Sequence, residues 1–184
     1  MKPPALLVID VQKAIDDPSW GSDRNNPHAE ATIAQLLEQW RRRGWPIVHV
    51  RHASTEAGSN YRPDGPGFAF KDEVQPRLGE RVIQKSTNSA FIGTDLEQLL
   101  RNTGIDCVVI TGVITNNSVE ATARMAGNLG FTTYVVADAT ATFGRYDYDR
   151  RWRTSAEVHA MSLANLDGEY ATVITAAELL NLLK

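Results

Sequence analysis

A single cysteine stands among 184 residues, so no disulfide can close within the chain. Cys107 opens the apolar run Cys107-Val108-Val109-Ile110, where a thiol serves as a small buried hydrophobe. A reducing cytoplasm is therefore the expected compartment, and the first residues show no basic-then-apolar leader pattern. No apolar run reaches the length needed to cross a bilayer, so no membrane role is expected. Positive charge is also scarce: 19 Lys and Arg against 22 Asp and Glu leave a net charge of -3. The longest basic run is Arg41-Arg42-Arg43, which sits before Gly44 and suits the C-terminus of a helix. A nucleic-acid partner has no electrostatic footprint here. Internal repeats, linkers and low-complexity segments are absent as well.

What is present is ordinary for one globular domain, with 42% hydrophobic and 22% charged residues. Short apolar runs alternate with longer amphipathic ones. Ala5 to Ile9, Trp45 to Val50, Arg81 to Gln84, Cys107 to Thr111, Thr132 to Val136 and Ala171 to Ile174 read as strands. Ala29 to Arg43, Thr94 to Asn102, Ser118 to Leu129, Ser155 to Leu166 and Ala176 to Leu183 read as helices. Ala53 to Gly67, rich in Gly, Pro, Ser and Asn, reads as a loop. This alternation predicts an α/β fold: a doubly wound, three-layer α/β/α domain around a six-stranded, mainly parallel sheet. Right-handed crossovers send the C-terminal ends of all its strands to one edge.

Three polar residues follow strands and are expected to meet at that edge: Asp10, Lys85 and Ser118. Asp10 ends five apolar residues, where it serves either as a turn cap or as a general acid or base. Lys85 alone reads as a surface lysine; beside Asp10 it holds the carboxylate ionised and offers charge to a developing anion. Ser118 opens a predicted helix, as an N-cap or as a nucleophile beside the backbone N–H groups of the helix start. A thiol suits such a place, whereas a hydroxyl needs a strong positioned base, and no His is an evident partner.

Taken in order, these segments resemble the isochorismatase-like (cysteine hydrolase) superfamily over nearly the whole chain. The resemblance is carried by Leu6-Leu7-Val8-Ile9-Asp10-Val11-Gln12, by Val82-Ile83-Gln84-Lys85 with Asn88-Ser89-Ala90-Phe91, and by Thr111-Gly112-Val113-Ile114-Thr115-Asn116-Asn117-Ser118-Val119-Glu120. Ala137-Asp138-Ala139 and the stretch from His159 to Glu169 add to it. It implies an Asp-Lys-Cys triad at Asp10, Lys85 and position 118, and a cis peptide between Val113 and Ile114. The backbone N–H groups of Ile114 and residue 118 are implied as the oxyanion hole. Members with the triad hydrolyse small amides through a thioester, and they form homo-oligomers, commonly dimers or tetramers.

Ser118 departs from that pattern, and three explanations compete. One is an engineered Cys→Ser change made to trap a substrate, favoured because Thr115-Asn116-Asn117-Ser118-Val119 matches the amide-cleaving branch. A second is a natural variant that cleaves a vinyl ether with Asp10 as the acid, as isochorismatases do. A third is a member that binds a small molecule without turnover. The family's nicotinamidases carry an Asp-x-His metal motif after the second strand; here that place reads His49-Val50-Arg51-His52. No metal and no cofactor are therefore expected. Gln12, Trp20, His52 and Phe91, with the loop from Tyr61 to Phe70, are candidates to contact a small-molecule amide. The stretch from Phe143 to Trp152 resembles a rim for a neighbouring subunit.

Overall fold

The structure, a computed structural model, describes residues 2–184. Its strands are β1 (Ala5–Ile9), β2 (Ile47–His52), β3 (Arg81–Lys85), β4 (Cys107–Val113), β5 (Thr132–Ala141), β6 (Arg145–Tyr146), β7 (Trp152–Arg153) and β8 (Thr172–Ile174). Its α-helices are α1 (Ala29–Arg43), α2 (Leu96–Asn102), α3 (Glu120–Asn128), α4 (Ser155–Ala164) and α5 (Ala176–Leu182). Six strands form one sheet in the order β3-β2-β1-β4-β5-β8, and every pairing is parallel. β6 and β7 make a separate antiparallel ribbon, which strand-by-strand reading of the sequence did not anticipate. Each of these two strands is only two residues long, too short to show a period.

The five apolar residues of β1 are needed because the strand is covered on both faces. Ala5, Leu7 and Ile9 join one apolar cluster with Leu96 and Leu100 of α2 and Ala123 and Ala126 of α3. Leu6 and Val8 join the other, with Ile33, Leu36, Leu37 and Trp40 of α1 and Leu179 of α5. Successive side chains of a strand point to opposite faces, so one short run feeds both layers. Trp40 is fully buried, and its indole N–H is satisfied by the Pro4 carbonyl at 2.8 Å. The Arg triplet does end α1: Gly44 follows in the left-handed conformation, φ 62°, and its N–H bonds the Arg41 carbonyl.

Several boundaries differ from the sequence reading. β2 begins at Ile47 rather than Trp45 and runs on through His52, so His52 lies in the strand. Lys85 is the last residue of β3. α2 begins at Leu96 and α4 ends at Ala164, short of the periodic pattern at each end. β5 extends to Ala141, past Asp138, because its register against β4 jumps between Ile110 and Gly112. Asn26 clasps this irregularity, its amide donating to the carbonyls of Ala137 (2.8 Å) and Thr140 (2.7 Å). Asp138 instead accepts from the Ala176 N–H at the start of α5. No helix opens at Ser118; Thr115–Val119 forms a π-helical turn, and α3 starts at Glu120.

The strand order reverses direction between β1 and β4. β2 and β3 lie to one side of that point, β5 and β8 to the other. In open α/β sheets such a switch point leaves a crevice at the carboxyl ends of the strands, where ligands bind. Asp10 follows β1 and the turn carrying Ser118 follows β4, so both border this crevice.

Candidate active site

Asp10 leaves β1 with φ 53°, a left-handed conformation that a non-glycine residue seldom adopts. Just before it, Ile9 pairs with Gly112 of β4, also at positive φ; a Cβ on Gly112 would collide with the Ile9 carbonyl oxygen. Asp10 is buried, with one carboxyl oxygen, Oδ2, 2.6 Å from Lys85 Nζ. The other, Oδ1, is buried without a hydrogen-bond partner. Burial pushes the carboxyl above the usual carboxylate range, while the Lys85 ammonium and the Ser118 hydroxyl pull it back.

Lys85 donates three times: to Asp10, to the Thr87 carbonyl at 3.0 Å and to Ser118 Oγ at 3.3 Å. Three donors with three acceptors saturate an ammonium group. Lys85 therefore acts as a fixed charge and cannot take a proton from Ser118. Ser118 is itself buried, with its Oγ accepting from Lys85. The peptide bond between Val113 and Ile114 is cis.

These groups open onto a pocket of about 180 Å³ lined by Trp20, His52, Tyr61, Asn88, Ile114 and Asn117 together with Asp10 and Ser118. Ser54, Glu56, Ser59 and Val113 complete the lining. Trp20 is held by its indole N–H on the Ala14 carbonyl at 3.0 Å, and it stacks on Phe143. His52 meets Tyr61 edge-on, and burial and the Lys85 charge lower its pKa, which keeps the imidazole neutral. Burial also raises the Tyr61 phenol, so it stays protonated.

Of the residues expected to touch a ligand, Trp20 and His52 line the pocket, and Gln12 and Phe91 do not. Gln12 is fully buried and spends both ends of its amide on backbone. Its NH₂ donates to the carbonyls of His52 and Phe68, and its oxygen accepts from the His52 N–H. It ties β2 to the segment that follows the pocket loop. Phe91 stacks on Phe131, 5.8 Å between ring centroids, inside the apolar cluster under α2 and α3. Phe143, expected at an outer rim, is buried against Trp20, whereas Tyr146, Tyr148 and Trp152 are exposed. Sequence reasoning gave no role to Glu56, Asn88 and Asn117: Asn88 and Asn117 stand within the motifs that carry the resemblance, and Glu56 lies in a polar loop with no pattern to mark it.

His49 does not reach the pocket. Its Nε2 lies 2.7 Å from Glu80 Oε2, inside the sheet. Among the described residues, no three His, Cys, Asp or Glu side chains gather in a way that would hold a metal ion.

The doubly wound parallel sheet thus brings a buried acid, an ammonium and a hydroxyl together at its switch point. Residues 4–178 match the Isochorismatase domain family, and the chain belongs to the isochorismatase family of hydrolases. It is 46% identical over 177 residues to the isochorismatase family protein YrdC of Bacillus subtilis, covering 96% of this chain and 94% of that one. A crystal structure of an isochorismatase-family protein from Chromobacterium violaceum superposes with a TM-score of 0.95 at 58% identity, covering 98% and 93% of the two chains. The maleamate amidohydrolase of Pseudomonas putida is 30% identical over 198 residues, covering 98% of this chain and 87% of its own length.

Proposed function

We propose that this site hydrolyses the C–N bond of a small amide, with position 118 as the nucleophile's place. The observation that carries the reading is Lys85 Nζ bridging Asp10 Oδ2 and Ser118 Oγ beside a pocket, with Asp10 Oδ1 free to exchange a proton. The amidohydrolase among the relatives supports the same bond type.

In this scheme the nucleophile at 118 gives its proton to Asp10 and attacks the amide carbon. The N–H groups of Ile114 and residue 118 receive the oxyanion. The C–N bond breaks as Asp10 returns the proton to the departing nitrogen, and ammonia or an amine leaves. Water then attacks the acyl group, losing a proton to Asp10; the bond from the acyl carbon to the nucleophile breaks, Asp10 returns the proton to the nucleophile, and the carboxylic acid is released. Asp10 takes the first proton, because the Ser118 hydroxyl meets its carboxyl and Lys85 is saturated. A carboxylate, even one raised by burial, is a weak base for a serine hydroxyl and a much better match for a thiol. The serine form is thus slow, and Ser118→Cys is the active form.

The test is ammonia or amine release from a broad panel of amides. Ser118→Cys is expected to turn over at least one of them, and Asp10→Asn or Lys85→Ala added to it abolishes the activity. Silence of Ser118→Cys across the panel sinks the reading.

A second reading is favoured by the raised carboxyl of Asp10, which suits a proton donor: vinyl-ether cleavage with Ser118 in place. It requires that the protein as it stands turn over isochorismate and that Asp10→Asn lose the activity. Isochorismate is a dicarboxylate, however, and no Arg or Lys is among the described residues that line the pocket.

A further inference from the structure

The pocket continues outward. A second compartment of about 380 Å³ is lined by Ser19, Gly58 and Asn60 and shares Trp20, Glu56, Ser59 and Tyr61 with the inner one. The shared residues mark the junction. The reacting groups sit on the inner side, so whatever a substrate carries away from its amide passes Glu56, Trp20 and Tyr61.

The charges at that junction are of one sign. Asp10 and Glu56 are the acidic residues lining the two compartments, and no described Arg or Lys lines either. Lys85 is fully buried behind Asp10 and neutralises it, which leaves Glu56 as the uncompensated charge facing a ligand. The nearby cations are engaged elsewhere: Arg24 pairs with Glu30 at 2.7 Å, Arg62 with Asp64 at 2.9 Å and Lys13 with Asp72 at 3.2 Å, while Arg51 lies over the Phe68 ring. His52, the one basic side chain lining either compartment among the described residues, is held neutral.

The aromatic groups have matching chemistry. Trp20 and Tyr61 stand edge to face, 6.5 Å between centroids, next to Glu56. An organic ammonium is attracted both by a carboxylate and by the faces of Trp and Tyr. A carboxylate ligand in the same place is repelled by Glu56 and disfavoured by the rings.

We propose that the site selects small amides that carry a protonated amine, seated at the junction formed by Glu56, Trp20 and Tyr61, and discriminates against amides that carry a carboxylate. The proposal rests on the amide-hydrolase reading for the reaction, but its binding step can be tested without turnover. It also separates this chain from its maleamate-hydrolysing relative, whose substrate is an anion.

Three probes of similar size distinguish the outcomes: 4-aminobutanamide, pentanamide and succinamate. Calorimetry with the protein as it stands is expected to show 4-aminobutanamide binding about tenfold more tightly than succinamate, with pentanamide between them, as one exposed charge and two rings allow. Glu56→Gln is expected to remove most of that difference, Glu56→Lys to invert it, and added salt to shrink it. Equal or tighter binding of succinamate overturns the proposal. So does failure of 4-aminobutanamide to bind at millimolar concentration, or an order unchanged in Glu56→Lys. Hydrolysis of the same probes by Ser118→Cys separates the two claims. Charge-ordered binding without hydrolysis keeps the selection and removes the hydrolase reading; hydrolysis without charge order does the reverse.

Discussion

Lys85 Nζ stands 2.6 Å from Asp10 Oδ2, with side-chain exposures of 0% and 5%. A buried pair of this kind is balanced between desolvation and attraction, and losing one member is far worse than losing both. Lys85→Met leaves a buried carboxylate alone and is expected to cost about 3–5 kcal/mol at neutral pH. The double variant Asp10→Asn, Lys85→Met should lose clearly less than the two single losses added together. The pH dependence has a definite sign. Without Lys85 the folded carboxyl is raised further above its ordinary 3.8, so the folded state favours the protonated form. The deficit of Lys85→Met should therefore grow as pH rises from 5 to 8, as read by urea unfolding. A deficit independent of pH would show that the carboxylate is not what suffers.

Glu80 should behave in the opposite way. Its desolvation is outweighed by Arg41 at 2.6 Å, the Arg77 N–H at 2.9 Å and His49 at 2.7 Å, which hold it at about 2. Burial lowers the pKa of His49, so at neutral pH it supplies a hydrogen bond and Arg41 supplies the ionic part. A depressed carboxyl stabilises above its unfolded pKa and loses that stabilisation as pH falls through the folded value. Glu80→Gln is therefore expected to cost roughly 2–3 kcal/mol at pH 7 and little near pH 2. Chemical denaturation at the two pH values checks this, and an equal loss at both would contradict it.

The two thiols of the Ser118→Cys variant should differ sharply in reactivity. Burial, with some help from Asp106, pushes the Cys107 thiol up to about 11, so almost none is thiolate near neutral pH. The introduced thiol would lie where Ser118 Oγ now sits, 3.3 Å from the Lys85 ammonium. Iodoacetamide at pH 7.5 is expected to modify position 118 at least tenfold faster than Cys107, because burial raises one thiol while the Lys85 ammonium favours the thiolate of the other. Peptide mass mapping reads both sites in one sample, and equal rates would remove Lys85 as an activating charge.

The sheet and the position of its polar edge were legible because their causes are local. Ala5 to Ile9 is apolar throughout because both faces are covered, and Asp10, itself buried, stops the run at the end of the strand. Ser118 was legible as a position but not as a conformation. A helix N-cap and a π-helical turn begin with the same residue types, and the difference is made by β4, β5 and α4 closing around the turn. Gln12 and Phe91 misled because polarity and aromatic character near a site do not show where a side chain points. Gln12 is used up by the backbone of His52 and Phe68, and Phe91 by Phe131. Glu56 had no sequence signal; its meaning comes from Trp20 and Tyr61, 36 and 5 residues away in a loop with no period.

The π-helical turn also has a support that its sequence does not reveal. Thr115, one residue after Ile114, is fully buried, and its Oγ1 is 3.0 Å from His159 Nδ1 on α4. Asn26 already spends both amide hydrogens on Ala137 and Thr140, so its 3.5 Å approach to His159 Nε2 is not a donated bond. Burial lowers the pKa of His159 against the opposing pull of the Ala137 carbonyl, which keeps the imidazole neutral. Thr115 Oγ1 and His159 Nδ1 share one hydrogen bond. His159 is accordingly a positioning residue for the turn that carries Ile114 and Ser118. In the Ser118→Cys background, His159→Phe and Thr115→Val are each expected to lower kcat about tenfold with KM little changed, since small misplacements of reacting groups are costly. The two together should lose no more than the worse one alone, because they break the same bond. Steady-state kinetics on one hydrolysed amide decides it: an unchanged kcat in His159→Phe, or fully additive losses, would mean that α4 does not hold the turn.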